Sequence, residues 1–273
     1  MRELQDRRAL VTGGGRGIGR VIAHALAEAG ADVAVLARTR DEVDQVAIEI
    51  AETGSRSLAL TADQADRLAV DEAVGTVDAA WGGVDILVNN AGVLGPVGPC
   101  HEVDPDAWIE ALRINAGGCY LCSRAVLPGM IARGHGRIIN LSGGGSVSPR
   151  PWFSAYGASK AAIVRLTETL AAEVADHGVQ VNAISPGAVN TRMTEQAAAA
   201  GTRAGAEAEA ARQRLADGGA PAQKAADLAV YLASQRSTGL TGRLLAAGWD
   251  DWAAIDVQQV MATELYTVRR IKS

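Results

Sequence analysis

The chain has 273 residues, 48% of them hydrophobic, and a net charge of −5. That length fits one large domain over 1–273 and leaves little room for a second, and the acidic balance gives no basic face for nucleic acid. No apolar run approaches the roughly 20 residues a membrane span needs, and the charged start MRELQDRR does not resemble an export signal, so a cytoplasmic protein with neither nucleic-acid nor membrane partners is expected.

Short apolar runs alternate with longer stretches of helical period. The expected strands are RALVTG, DVAVLAR, SLALTAD, VDILVNNAG, GRIINLS, VQVNAISPG and GRLLAAG. Ile18, Ile22, Ala25, Leu26 and Ala29 line one face of the first intervening helix. Strands with little alternation, separated by helices, indicate a parallel sheet covered on both faces. Right-handed crossovers then give an α/β, doubly wound sheet of about seven strands.

The run VTGGGRGIG follows the first strand and opens the first helix. Gly13, Gly17 and Gly19 permit a tight turn and let a phosphate approach the backbone. The helix N-terminus adds unpaired N–H groups and a partial positive charge. With Gly15, Arg16 and Ile18 these residues form the expected dinucleotide loop; the bland alternative is a glycine-rich turn without a ligand. At the end of the second strand Ala37 stands where a reader of NAD usually carries an acid, and Arg38 follows. Arginine suits the 2′-phosphate of NADP, so NADP(H) is favoured over NAD(H), with Arg16 as a second contact and Arg40 a weaker one. Alternatively these arginines face solvent. Asp63, with Gln64 beside it, follows the third strand and is placed to accept a bond from the adenine amino group.

Cys119 and Cys122 form a C-x-x-C in the apolar stretch NAGGCYLCSRAVLPGM. Without a second pair or nearby histidines, small core residues are a better reading than redox or metal chemistry, and no metal is expected. Further on, NLSGGGSVSPRPWFSAYGASK places Tyr156 four residues before Lys160, on one helix face. A free tyrosine has a pKa of about 10, and a nearby ammonium favours the phenolate. Such a tyrosine can give a proton to a carbonyl oxygen or take one from an alcohol.

Taken in order, TGGGRGIG, NNAG at 89–92, Asn115, YGASK at 156–160 and SPGAVNT at 185–191 resemble the short-chain dehydrogenase/reductase family, in its short single-domain branch, over roughly residues 7–247. The resemblance implies a Rossmann fold and hydride chemistry between a ketone and a secondary alcohol. It also implies a small-molecule carbonyl or alcohol substrate and a homo-oligomer, dimer or tetramer. It gives Lys160 a bond to the nicotinamide ribose and Asn115 a water that relays protons to the lysine. Asn90, Ala91 and Gly92 are expected beside the cofactor, as are Pro186 and Gly187; the Val189 backbone and the Thr191 hydroxyl would bond the carboxamide.

Two departures from the family pattern stand out. The substrate-polarising serine usually lies 13 positions before the tyrosine, where this chain has Gly143. Three readings stay open: Ser142, taken as the leading candidate, Ser146, or no serine. The chain also continues past the usual end with a tail, about 249–273, carrying Trp249, Asp250, Asp251 and Trp252. One reading packs it over a subunit interface; another adds it to the substrate pocket, suiting a sugar, amino-sugar or aminocyclitol ketone. Reduction of 3-oxoacyl groups on a carrier protein and a cofactor-binding regulator without catalysis are further readings. Arg150, Trp152 and Phe153 are placed to touch substrate or to pack the loop. The segment about 190–220, overlapping the alanine-rich run from 197 to 223, reads as a lid or as a poorly ordered loop.

Overall fold

A computed structural model describes residues 2–270. The seven expected strands are all present: β1 (Arg8–Thr12), β2 (Asp32–Ala37), β3 (Ser57–Thr61), β4 (Ile86–Asn89), β5 (Gly136–Leu141), β6 (Val179–Ser185) and β7 (Leu244–Ala246). They form one sheet in the order β3-β2-β1-β4-β5-β6-β7, every pair parallel.

Parallel neighbours need crossovers, and helices supply them. In chain order they are α1 (Gly17–Glu28), α2 (Arg40–Glu52), α3 (Arg67–Trp81), α4 (Pro105–Leu112), α5 (Gly118–Arg133), α6 (Ser154–Glu173), α7 (Arg192–Ala199), α8 (Ala206–Ala216), α9 (Gln223–Ala233) and α10 (Val257–Met261). One turn of π-helix, Arg113–Gly117, joins α4 to α5. None of the helices among the described residues is long and apolar enough to cross a membrane.

Successive strand residues point to opposite faces, so each strand feeds two cores. Ala9 and Val11 of β1 and Ile86 and Val88 of β4 pack with Ile22, Leu26, Ile50, Leu228 and Leu232 from α1, α2 and α9. Leu10 and Leu87 face the other way, onto Val70, Val74, Val126, Met130 and Leu170 from α3, α5 and α6. Burial of each such aliphatic side chain contributes about 1.5–3 kcal/mol. Cys122 of the C-x-x-C belongs to this second core and Cys119 is buried against Asn140; burial pushes both thiols up to about 12.

The order reverses between β1 and β4, so the loops after Thr12 and Asn89 part to opposite sides and leave a crevice at the strands' carboxyl ends. Over that crevice the alanine-rich segment folds as α7 and α8. Small side chains suffice for this layer: Ala197, Ala204, Ala208 and Ala211 pack directly on Leu94, Phe153 and Tyr156.

The tail seats on its own chain. The Leu244 amide of β7 donates to the Tyr266 carbonyl, and the buried Arg243 guanidinium donates to the carbonyls of Val260 and Thr263. Trp252 lies against Tyr231 of α9, ring centroids 5.5 Å apart. The tail thus covers the β7 edge of the sheet; its last three positions fall outside the described residues.

Candidate active site

One cavity of about 1080 Å³ runs along the carboxyl ends of the strands. Its floor begins at the glycine loop. Asp66 caps α3 and Asp104 caps α4 with side-chain bonds, but Arg16 at the N-cap of α1 makes none. Gly13, Gly15, Arg16, Gly17 and Ile18 all border the cavity. Gly17 has φ +54, and a β-carbon there would meet only Thr191 Cγ2, 3.9 Å away. The loop therefore offers open space and uncapped amides to an anionic group, which fits a pyrophosphate. Gly19 does not border the cavity; a β-carbon there would collide with the carbonyl of Gly13 and the amide of Asn90, so its role is close packing of α1 against the loop.

At the adenosine end Ala37, Arg38 and Asp63 reach the cavity. Arg16 is engaged with Glu42 at 2.9 Å and Arg40 with Asp44 at 2.7 Å. Arg38 has no ion-pair partner among the described residues. One oxygen of Asp63 accepts the Ala65 amide at 2.9 Å. Gln64 is buried and spends its amide hydrogens on the carbonyls of Ala91 and Ile114, so it ties the NNAG turn to the π-turn.

Asn90, Ala91 and Gly92 continue the wall. Asn90 Nδ2 donates to the carbonyls of Thr12 and Gly13, fixing β4's end to the glycine loop. The π-turn places Asn115 beneath this wall, fully buried and off the cavity surface. Its Oδ1 accepts the Val93 amide at 2.8 Å, and Nδ2 donates to the Val93 carbonyl and to Ser159 Oγ, both at 2.9 Å. Both amide hydrogens are thus spent on clamping the turn. That leaves only oxygens of Asn115 to join a proton relay.

Tyr156 and Lys160 stand one turn apart on α6, both buried and both on the cavity. Lys160 Nζ donates to the Leu141 carbonyl at 2.7 Å and lies 5.6 Å from the Tyr156 ring centroid. Burial pushes its pKa down to about 8. Burial raises the Tyr156 pKa and the Arg150 charge opposes that rise; the Arg150 guanidinium and the Lys160 ammonium lie at nearly equal distances from the ring centroid, 5.5 and 5.6 Å.

Ser142 borders the cavity with its hydroxyl buried and without a partner among the described residues. Ser146 is not on the cavity wall; its amide closes a turn onto the Gly143 carbonyl. Gly143 itself faces Tyr156. In the loop before α6, Arg150 borders the cavity, Phe153 is completely buried under the alanine layer, and Trp152, in a left-handed backbone conformation, packs its indole against Gly205.

Pro186, Gly187 and Val189 line the far side with Thr191. Thr191 stands at the N-cap of α7, its carbonyl accepting the Thr194 amide at 2.8 Å while its own amide donates to Thr194 Oγ1 at 3.3 Å. Its hydroxyl proton stays available to donate. Sequence reasoning did not single out Glu207 and Arg214, which also border the cavity from α8. Trp249 reaches the cavity rim while 87% exposed, so it is not held by its own chain as Trp252 is.

A family model described as short chain dehydrogenase matches residues 7–201. Oxidoreductase UcpA of Salmonella typhimurium is 40% identical over 252 residues, covering 89% of this chain and 93% of that one. The cis-4-hydroxycyclohexanecarboxylate dehydrogenase of Sinomonas cyclohexanicum is 35% identical over 242 residues, covering 88% and 94%. Among solved structures, NAD+-bound xylitol dehydrogenase superimposes with a TM-score of 0.84 at 29% identity, over 89% of this chain and 98% of that one.

Proposed function

This chain belongs to the short-chain dehydrogenase family, and from that premise we propose that it is an NADP(H)-dependent oxidoreductase interconverting a ketone and a secondary alcohol. The observation that carries the reading is the Tyr156–Lys160 pair, buried on the wall of the same cavity that begins at the glycine loop. The relatives named for xylitol and for cis-4-hydroxycyclohexanecarboxylate are dehydrogenases of hydroxyl-bearing compounds, which supports the class of substrate.

A nicotinamide cofactor held along this cavity would supply or take up the hydride. Tyr156 handles the proton. The phenol would give its proton to the carbonyl oxygen in ketone reduction and take one from the alcohol in the reverse direction. Lys160 has one N–H on Leu141, leaving two for the nicotinamide ribose hydroxyls and a relay. Asn115 fixes the Val93 turn beneath them, and its remaining oxygen capacity would hold the relaying water. Ser142 is the proposed polarising donor: an unpaired buried hydroxyl costs about 1–3 kcal/mol, which a substrate oxygen would recover. The Val189 backbone and the Thr191 hydroxyl would hold the carboxamide, with Pro186 and Gly187 against the ring. Asp63 would accept from the adenine amino group.

NADP is favoured because Arg38 is the arginine at the adenosine end without an acidic partner among the described residues, and β2 ends in Ala37 rather than an acid. A 2′-phosphate would supply the missing anion. We further propose a cytoplasmic homo-oligomer. The test is NADPH consumption with a panel of ketones. Tyr156→Phe should lower turnover by about 10³-fold while NADPH binding persists. Undiminished turnover in that variant would overturn the assignment.

A further inference from the structure

A charged group on the cavity wall near Tyr156 has no part in hydride or proton transfer. Arg150 Nη2, from the loop before α6, donates to Glu207 Oε1 at 3.0 Å. Arg214 Nη2, two turns along α8 from Glu207, donates to the same oxygen at 2.5 Å. The three side chains are only 23%, 28% and 28% exposed. Burial alone would raise the Glu207 carboxyl, but the two arginines hold it below its usual range, so it stays ionised. Two guanidiniums therefore share one carboxylate, leaving one positive charge over in a partly desolvated place.

Each guanidinium carries five N–H donors, and Nε and Nη1 of both have no acceptor among the described residues. The glycine run explains how Arg150 reaches this position. A β-carbon on Gly145, where φ is +93, would lie 3.2 Å from Arg150 Cβ, and one on Gly144 would lie 3.8 Å from Arg150 Nη1. The stem of Arg150 thus rests on a bare backbone. Its guanidinium stacks 4.2 Å from the Phe153 ring centroid, which pre-orients the fork beside the phenol.

We propose that Arg150 and Arg214 form a subsite for a carboxylate, and that the substrate is an oxo acid or hydroxy acid whose reacting carbon faces Tyr156. One surplus positive charge is balanced by one carboxylate; a phosphate dianion would overshoot it. The guanidinium fork also matches a carboxylate in a bidentate way. This rests on the oxidoreductase reading for the reacting end of the substrate, and not for the binding of the acid.

The test uses 4-oxopentanoate and 3-oxocyclohexanecarboxylate, each against its own carboxamide, which keeps shape and removes charge. Calorimetric titration into NADPH-saturated protein should show at least one acid binding about 10-fold or more tighter than its amide. In Arg214→Met and in Arg150→Met that preference should fall about 10-fold, as should the kcat/KM ratio of acid to amide. Equal binding of acid and amide for both skeletons, or a preference that survives both substitutions, overturns the subsite. Absence of turnover with preserved acid preference would count against the oxidoreductase reading alone.

Discussion

A β-carbon built on Gly143 would lie 2.6 Å from the phenol oxygen of Tyr156. The phenol oxygen thus occupies the room that a side chain would need at the position where relatives usually carry serine. Gly143→Ala should force one of the two to move, at a cost of about 1–3 kcal/mol, and should cut kcat at least 10-fold. Ser142→Ala should differ in its effect on stability. It removes a hydroxyl with no partner among the described residues, so thermal stability holds or rises slightly, while kcat drops about 10²-fold. Full kcat in Ser142→Ala would end the role proposed for that serine.

Arg38 should govern cofactor choice. Arg38→Gln removes the arginine on the cavity wall that has no ion-pair partner among the described residues. Losing a charge-assisted bond of about 1.5–3 kcal/mol predicts a KM for NADPH raised about 10- to 100-fold with NADH unaffected. Steady-state kinetics with both cofactors decide it; equal changes for the two would point to a general effect on the loop.

His135 should make the fold acid-sensitive. Burial, with Arg7, Arg137 and Arg133 nearby, lowers its pKa from 6.5 to about 4, and its Nε2 is buried without a partner among the described residues. Between pH 6.5 and 4 the unfolded chain binds the proton and the folded chain refuses it. Stability is therefore complete above 6.5 and is lost as pH falls toward 4. At 1.36 kcal/mol per unit the loss is at most about 3 kcal/mol, and partial exposure lowers it to about 2. Urea titrations of the native chain and His135→Gln at pH 7 and 4.5 should differ in slope against pH by that amount, the variant being flatter.

The two tail tryptophans should behave oppositely. Trp252 is partly buried against Tyr231 and the α9 core, so Trp252→Ala should cost about 2 kcal/mol. Trp249 is 87% exposed at the cavity rim, so Trp249→Ala should leave stability within about 0.5 kcal/mol. Chemical denaturation separates them, and a large loss from Trp249→Ala in the monomeric unfolding step would contradict the placement.

Much of this site was legible in the chain because its parts are local. The strand–loop–helix rhythm requires only short apolar runs and a helical period. The glycine loop reads as such because its residues are consecutive, and Tyr156 and Lys160 because one helical turn joins them. The alanine-rich segment was harder, since alanine alone signals no core; only contact with Phe153 and Leu94 shows that small side chains fit a thin layer there. Asn115 could be marked as a site residue, but not its π-turn or the clamp it makes on Val93.

The sequence by itself determined the sheet, its glycine loop and the placing of Tyr156 and Lys160 on one helix face, because each depends on neighbours within a turn or a strand. Only the tertiary structure decided the charges. Arg150 meets Glu207 across 57 positions, Arg16 and Arg40 pair with acids while Arg38 has no ion-pair partner among the described residues, and burial raises the Tyr156 pKa against the charge of Arg150. Electrostatic and desolvation energies depend on distance through space and on exclusion of water, and neither quantity exists until the chain has folded.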